Sequence, residues 1–304
     1  NFVIAAICAA LGGIGQGLHD SSSPVILQHV FKENYHRAVS MTQVFFGIGN
    51  FITPLIFSML LYMGVNWRIM YYGLFCIAVL MMAVILFVKI PEGKELRSHL
   101  KLVGSREGKK RKNYMTTILF IILVFTYTAV INTVYTYTPA YNMDLGLNES
   151  LSVTMLTIFS IGSMLGALLF TIILKYVAVT KVLFFNCIAS FLLLNFIRST
   201  TLAAVLMPGY FVFGALFGVV YSLLVSVSTE MMPTRASFAA ATVAFFSGSA
   251  DILSPLITGQ LVNMRGLGMS FQYAAFMGVG MVVSVFAFYL VYARSKDKAQ
   301  AFQI

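Results

Sequence analysis

The chain has 304 residues, of which 59% are hydrophobic and 10% are charged, and its formal net charge is +10. Its mean hydropathy of +0.88 excludes a water-soluble enzyme or binding domain of ordinary composition. The sequence therefore predicts a protein that resides in a lipid bilayer.

Nine apolar segments are long enough to cross a bilayer. A helix needs about 20 predominantly apolar residues to span the hydrocarbon layer, which is roughly 30 Å thick. Strands of a membrane barrel would instead give alternating segments of about ten residues. The predicted helical spans are residues 2–31, 38–64, 68–90, 114–141, 150–175, 181–198, 201–231, 236–264 and 268–293.

The basic residues are concentrated in alternate connections between these spans. If residues 91–113 are cytoplasmic, 17 of the 20 Lys and Arg residues fall on the cytoplasmic side, and only Arg68, Arg198 and Arg265 fall outside. This distribution follows the positive-inside rule. The basic excess therefore indicates membrane orientation, with a cytoplasmic C-terminus, and we expect no nucleic-acid partner.

A twelve-residue pattern occurs twice. FFGIGNFITPLI at 45–56 and FSGSADILSPLI at 246–257 are identical at five positions, and a proline and a glycine recur in step. A parallel repeat joined by a long basic loop resembles the two six-span halves of the major facilitator transporters. This resemblance implies an all-α membrane protein with the major facilitator fold, in which nine transmembrane helices are present and the first three of twelve are missing. A natural nine-span protein is the alternative.

The resemblance also implies a domain organisation. Residues 1–90 are expected to be the remnant of an N-terminal helical bundle, comprising spans 4 to 6. Residues 91–113 form a cytoplasmic linker, either a short helix on the inner leaflet or a solvated tether. Residues 114–304 are expected to form a C-terminal six-helix bundle, spans 7 to 12, with a short cytoplasmic tail.

The first predicted span contains two adjacent ionisable residues, His19 and Asp20, within GIGQGLHDSSSP at 13–24. An ionisable side chain deep in a membrane helix costs on the order of 3 kcal/mol by insertion scales, so it marks a candidate functional position. An imidazole beside a carboxylate can bind and release a proton as its surroundings change. We therefore predict that His19 and Asp20 carry proton coupling; a structural polar contact between helices is the alternative.

A second acid, Asp251, lies near the middle of the span 236–264 and has no cation at helical spacing. It is protonated, hydrogen-bonded to serines such as Ser249 and Ser254, or directed into an aqueous cavity. Asn50 occupies the matching position in the other copy of the repeat. Asn50 and Asp251 are therefore predicted to line a substrate site near the pseudo-symmetry axis.

Polar residues also follow one face of the span 114–141. Thr128, Asn132, Tyr135 and Pro139 share this face by helical spacing. An amide with hydroxyls and an aromatic ring suits a polyol, because rings stack on C–H surfaces and the amide pairs with hydroxyls. An interfacial aromatic belt is the alternative, although Asn132 is too deep to belong to one.

Two further polar residues within spans, Gln43 and Tyr221, are added to the predicted substrate site, with interhelical hydrogen bonds as the alternative. Nucleotide-binding loops, zinc spacings and catalytic constellations are absent from the sequence, so we expect neither a cofactor or metal nor enzymatic activity. The three cysteines lie in separate spans and are predicted to be free.

The order of polar residues in the first two spans is similar to that in the fucose permease group of sugar–proton symporters. There an acid follows a leucine shortly before a proline, and a glutamine opens the polar stripe of the next helix. The residues that carry this resemblance are Leu18, His19, Asp20, Pro24, Gln43, Phe45 and Gly49. The sequence departs from the pattern in that His19 occupies the place of the acid and Asp20 is displaced by one.

The stretch INTVYTY at 131–137 resembles, more loosely, the seventh span of facilitative sugar transporters, in which an asparagine contacts the sugar. Asn132 is the matching residue here. Both resemblances imply a sugar or a related metabolite as the small-molecule substrate.

The sequence thus predicts a secondary active transporter of the cytoplasmic membrane. We expect it to act as a monomer and to move a small polar solute by alternating access coupled to protons. One alternative is an efflux pump for amphipathic compounds, which methionine-rich and aromatic spans would accommodate. Another is a truncated or non-transporting, receptor-like membrane protein, because a fold does not fix a function.

Overall fold

The computed structural model describes residues 2–66, 68–88, 114–232 and 235–301. All regular secondary structure within these ranges is helical, as expected where backbone groups must be satisfied inside a bilayer. The predicted linker 91–113 lies outside the described residues.

The described ranges contain ten α-helices and one short 3-10 helix, Lys32–Asn34. The α-helices are α1 (Phe2–Phe31), α2 (Tyr35–Tyr62), α3 (Arg68–Phe87), α4 (Tyr114–Asp144), α5 (Glu149–Ile173), α6 (Val179–Arg198), α7 (Ala203–Phe217), α8 (Val220–Met231), α9 (Ala236–Arg265) and α10 (Gly268–Ala301). Each of the nine predicted spans corresponds to one helix, except 201–231, which forms the pair α7 and α8. Among the described residues, six spans from α4 onward are apolar and long enough to cross a membrane.

Tyr127 of α4 bridges the break between α7 and α8. The helices are separated at Gly218 and Val219. The buried hydroxyl of Tyr127 donates a hydrogen bond to the carbonyl oxygen of Phe217 at 3.5 Å and accepts one from the backbone N–H of Tyr221. A helix break in an apolar environment releases backbone groups that need new partners. Tyr127 supplies one such hydrogen-bonding partner on each side of the break.

Helices α5 and α7 pack closely because glycines recur every four residues on both. Gly162 and Gly166 of α5 face α7, and Gly214 of α7 and Gly218 just after it face α5. A Cβ added to Gly162 or Gly166 would meet backbone atoms of α7, and one added to Gly214 would meet the backbone of α5. Small residues at this spacing let membrane helices approach each other directly.

We expect Gly166→Ala to destabilise the protein by about 1–3 kcal/mol, because the added methyl group must displace the backbone of α7. Thermal unfolding of the purified protein in detergent measures this change. Gly248→Ala in α9 is the matched control, since its added Cβ meets nothing within 4 Å. Equal losses in the two variants would contradict this account of the α5–α7 contact.

Helices α4–α10 share one apolar core, whose largest fully buried side chains include Tyr210, Phe159, Phe213, Phe217, Phe271 and Phe288. Helix α1 packs along α9, and α2 packs along α5 and also contacts α8. We call α4–α10 the main bundle. The described side chains of α3 are nearly all exposed.

Helix α2 is fastened to the main bundle near its first residues. Arg37 Nε donates a hydrogen bond to the carbonyl oxygen of Thr171 at 3.1 Å, and Ser40 Oγ donates one to the carbonyl oxygen of Ala167 at 3.2 Å. Thr171 lies in the last turn of α5, where the helix carbonyls favour a positive charge. We call this end of the molecule, where α2 begins and α5 ends, the basic end.

Other contacts at the basic end close the space between the first helices and the main bundle. Thr229 Oγ1 of α8 donates a hydrogen bond to Tyr35 Oη of α2 at 2.8 Å, and Val25 of α1 is buried. In contrast, every side chain from Ala10 to His19 is exposed on all faces of α1. Helix α1 therefore meets the main bundle toward the basic end and stands apart from it toward the opposite end.

Arg37→Ala is expected to loosen the basic end. A hydrogen bond from a charged donor contributes about 1.5–3 kcal/mol, so its loss shifts the population of an open state by roughly tenfold or more. In a background with Cys8, Cys76 and Cys187 replaced by serine, spin labels at Glu33→Cys and Lys175→Cys, both exposed, report the separation by pulsed electron resonance. A second, longer distance between the labels should appear in Arg37→Ala and not in the control Arg265→Ala. If Arg37→Ala leaves the distribution of label distances unchanged, Arg37 does not hold α2 against α5.

Candidate substrate and proton site

A row of hydrogen bonds between side chains joins α4 to α9. Thr128 Oγ1 lies 3.0 Å from Ser247 Oγ, and one turn further along both helices Asn132 Nδ2 donates to Asp251 Oδ1 at 3.1 Å. We call this row the α4–α9 seam. It brings together two of the residues predicted for the substrate site, Asn132 and Asp251.

The seam continues one turn beyond Asp251. Ser254 Oγ donates to the carbonyl oxygen of Ala129 at 3.3 Å and lies 3.4 Å from Thr133 Oγ1. Ser249 Oγ instead donates to a carbonyl oxygen of its own helix. Neither serine that the sequence suggested as a partner bonds to Asp251, whose hydrogen-bond partner is the amide of Asn132.

Asp20 is held by side chains of its own helix. Gln16 Nε2 donates to both carboxylate oxygens of Asp20, at 3.0 and 3.2 Å, and His19 Nδ1 lies 3.3 Å from Oδ1. The His19 side chain is 71% exposed and the Asp20 side chain 25% exposed. The two residues predicted for proton coupling are thus in contact, and the imidazole has access to the surroundings.

Tyr221 connects the two acidic positions. It lies at the start of α8, just after the break that Tyr127 bridges. Its hydroxyl is within electrostatic reach of the carboxylates of both Asp20 and Asp251. Asp20 of α1 and Asp251 of α9 therefore each interact electrostatically with Tyr221 of α8.

Tyr135 faces α5 rather than the seam. Its ring lies edge-on to Phe159, with centroids 5.1 Å apart and an interplanar angle of 88°, and its hydroxyl is hydrogen-bonded to Ser160. Tyr135 is half-buried, one turn from Asn132 on the same side of α4. It can therefore border the same space as Asn132 but does not contact Asp251.

Gln43 and Asn50 lie on α2, which does not pack against the seam. They are seven residues apart and so share one face of the helix. This face lies between Gly47, which contacts Met164 of α5, and Tyr35, which contacts α8. Gln43 is half-buried and Asn50 is exposed. Gln43 therefore lies beside the contact of α2 with the main bundle, whereas the side chain of Asn50 is exposed.

The two copies of the repeat occupy corresponding places in their helices. Phe45 follows the first residue of α2 by ten positions, and Phe246 follows the first residue of α9 by ten. Asn50 and Asp251 consequently each follow the first residue of their helix by fifteen positions. This agreement supports the equivalence inferred from the sequence.

Three residues of this region were not predicted as site residues: Gln16, Ser247 and Tyr127. The pairing of Gln16 with Asp20 follows from their spacing of four residues and could have been predicted. Ser247 and Tyr127 act across helices, so only the relative rotation of the helices reveals their partners.

The side chains of this region are polar or ionisable. It offers an amide, several hydroxyls, two carboxylates and an imidazole near the middle of apolar helices. Within the described ranges, no group of three or more His, Cys, Asp and Glu side chains comes together as a metal site would require.

Comparison with known proteins agrees with this architecture. The chain is 22% identical over 308 residues to an uncharacterised MFS-type transporter of Bacillus subtilis strain 168, YfkL, and the match covers 97% of this chain and 75% of that protein. Its fold matches the crystal structure of the MFS transporter FucP in the outward conformation with a TM-score of 0.68 at 12% identity, over 88% of this chain and 72% of that chain. The sequence model of the Major Facilitator Superfamily matches residues 1–255. The chain therefore belongs to the Major Facilitator Superfamily, as its repeat predicted.

Proposed function

We propose that the protein is a secondary active transporter that moves a small polar solute, a sugar or a related metabolite, by alternating access coupled to protons. The observation that carries this proposal is the Asn132–Asp251 hydrogen bond between α4 and α9, beside Tyr221 and Asp20. Polar residues at the middle of membrane helices are costly and are retained where a solute or ion must pass.

The substrate contacts are assigned to the predicted residues. Asn132 and Asp251 pair with hydroxyl groups of the solute, and Tyr221, which interacts electrostatically with Asp20 and Asp251, provides an aromatic surface. Tyr135 borders this space from α4. Gln43 and Asn50 approach it from α2, so the solute contacts both the first helices and the main bundle.

The proton is assigned to Asp20 and His19. Gln16 donates to both oxygens of Asp20 and thereby fixes the carboxylate beside the imidazole. His19 is largely exposed and can exchange a proton with water. Protonation of this pair changes the charge next to Tyr221 and so couples proton binding to the substrate site.

Alternating access is supported by the uneven contact between α1–α2 and the main bundle. Hydrogen bonds close the basic end, whereas α1 stands apart toward the opposite end. The similarity to FucP in the outward conformation fits a cleft that is open on the non-basic side. The charge distribution supports a cytoplasmic location of the basic end and of the C-terminus. We further propose that the host membrane is the cytoplasmic membrane and that the transporter acts as a monomer.

Uptake into proteoliposomes tests this function. Radiolabelled L-fucose, D-glucose and D-galactose are offered to the purified protein with and without an inward proton gradient. We expect at least one of these sugars to accumulate only with the gradient and to be released by a protonophore. Sugar uptake that does not depend on the gradient would contradict proton coupling. Transport of hydrophobic cations without any sugar uptake would instead indicate an efflux pump.

A further inference from the structure

Asp251 differs from the rest of the seam because part of its hydrogen-bonding capacity is unused. Thr128 and Ser247 bond to each other, but Asp251 accepts only one hydrogen bond, from Asn132 to Oδ1. Within the described residues, Oδ2 of Asp251 accepts none. A carboxylate with a free oxygen is a strong acceptor that the protein itself does not satisfy.

The free oxygen belongs to a residue at the edge of the buried face of α9, and the side chain of Asp251 is itself exposed. Asp251 is four residues from Ser247 and seven from Thr258, which are both buried, so the three share one helical face. The next residue, Ile252, is on the outer side and is 67% exposed. Asp251 therefore contacts α4 through Asn132 and leaves its second carboxylate oxygen accessible.

Positive side chains are absent from this depth of the described structure. The Lys and Arg residues whose side chains the structure describes lie in helix connections or within one turn of a helix end: Lys32, Arg37, Arg68, Lys175, Lys181, Arg198, Arg235 and Arg265. His19 is in contact with Asp20 and not with Asp251. Tyr221 lies near both carboxylates, so the region between them has a negative potential.

This electrostatic arrangement distinguishes among polar solutes. Hydroxyl groups of a neutral sugar can donate to Asp251 but leave its charge uncompensated. A protonated amine donates a hydrogen bond and supplies the missing positive charge, and such charge-assisted bonds are about twice as strong as neutral ones. The Tyr221 ring adds a surface that also attracts a cation.

On the basis of the proposed transport function, we infer that Asp251 is the counter-ion for a protonated amine on the solute and determines specificity for small hydroxylated amines, such as amino sugars. Asn132 fixes one oxygen of the carboxylate and leaves the other for the amine. The remaining hydroxyl groups of the solute meet the amide and hydroxyl groups around the seam.

Binding of three matched sugars to the full chain in lipid nanodiscs tests this inference. D-glucosamine carries the amine, N-acetyl-D-glucosamine carries the same ring with the charge removed, and D-glucose has neither group. We expect D-glucosamine to bind at least about tenfold more tightly than the two neutral sugars. In Asp251→Asn this preference should fall below about twofold, because the counter-charge is lost while a hydrogen-bonding side chain remains. Asp144→Asn, at the exposed end of α4, should keep it.

The outcomes separate the inference from the transport function. If all three sugars bind equally, or if the preference survives in Asp251→Asn, the amine specificity is overturned while sugar transport stands. If D-glucosamine binds in a manner that depends on Asp251 but no sugar is driven by a proton gradient, the inference stands and proton-coupled sugar transport is overturned. A preference that is lost equally in Asp144→Asn also overturns the inference, because a general effect of surface charge would then explain it.

Discussion

Asp20→Asn is expected to abolish proton-driven accumulation while leaving solute exchange intact. One proton moved per solute with a pH difference of one unit supports about tenfold accumulation, since one pH unit corresponds to about 1.4 kcal/mol. An amide at position 20 keeps the hydrogen bond with Gln16 but cannot bind and release a proton. Accumulation in proteoliposomes should therefore fall to the equilibrium level, whereas exchange of labelled for unlabelled solute continues.

Asp144→Asn provides the matched control for this experiment. Asp144 is an exposed carboxylate at the end of α4, away from the proposed site. Its substitution should leave both accumulation and exchange unchanged. Accumulation by Asp20→Asn at the wild-type level would show that the coupling proton binds elsewhere.

Asn132→Leu is expected to weaken solute binding about tenfold to a hundredfold. The substitution keeps the size of the side chain and removes the donor to Asp251, and a hydrogen bond to a charged group contributes about 1.5–3 kcal/mol. The apparent KM for uptake should rise, because the carboxylate loses its fixed orientation and the amide no longer contacts the solute.

Asn195→Leu is the control for the loss of an amide within a membrane helix. Asn195 donates to the carbonyl oxygen of Phe191 in its own helix, α6, and has no part in the seam. This variant should change stability without changing KM. A similar rise of KM in both variants would mean that Asn132 has only a structural role.

The fold could be predicted from the sequence because its strongest signals are long. Runs of apolar residues set the positions of the helices, and the repeat at 45–56 and 246–257 indicated the family. The break at Gly218 and Val219 was not predicted. Hydropathy varies little across this break, and its backbone partner, Tyr127, is 90 residues away from Phe217 in the chain.

The site was predictable only where partners share a helix. His19, Asp20 and Gln16 lie within one helical turn or so, and their contacts follow from the spacing. The pairing of Asn132 with Asp251 joins residues 119 positions apart. It depends on how α4 and α9 are rotated against each other, and neither hydropathy nor helical spacing encodes that rotation.

A shared aqueous cleft between α1 and the main bundle is most directly tested by cysteine accessibility. In a background with Cys8, Cys76 and Cys187 replaced by serine, Asp20→Cys, Asp251→Cys and Ile252→Cys are each exposed to a charged methanethiosulfonate and to a lipid-soluble maleimide. We predict that the charged reagent modifies positions 20 and 251, whereas position 252, on the outer side of α9, reacts only with the lipid-soluble one. If positions 20 and 251 behave like position 252, the two acids face lipid and do not share a cleft.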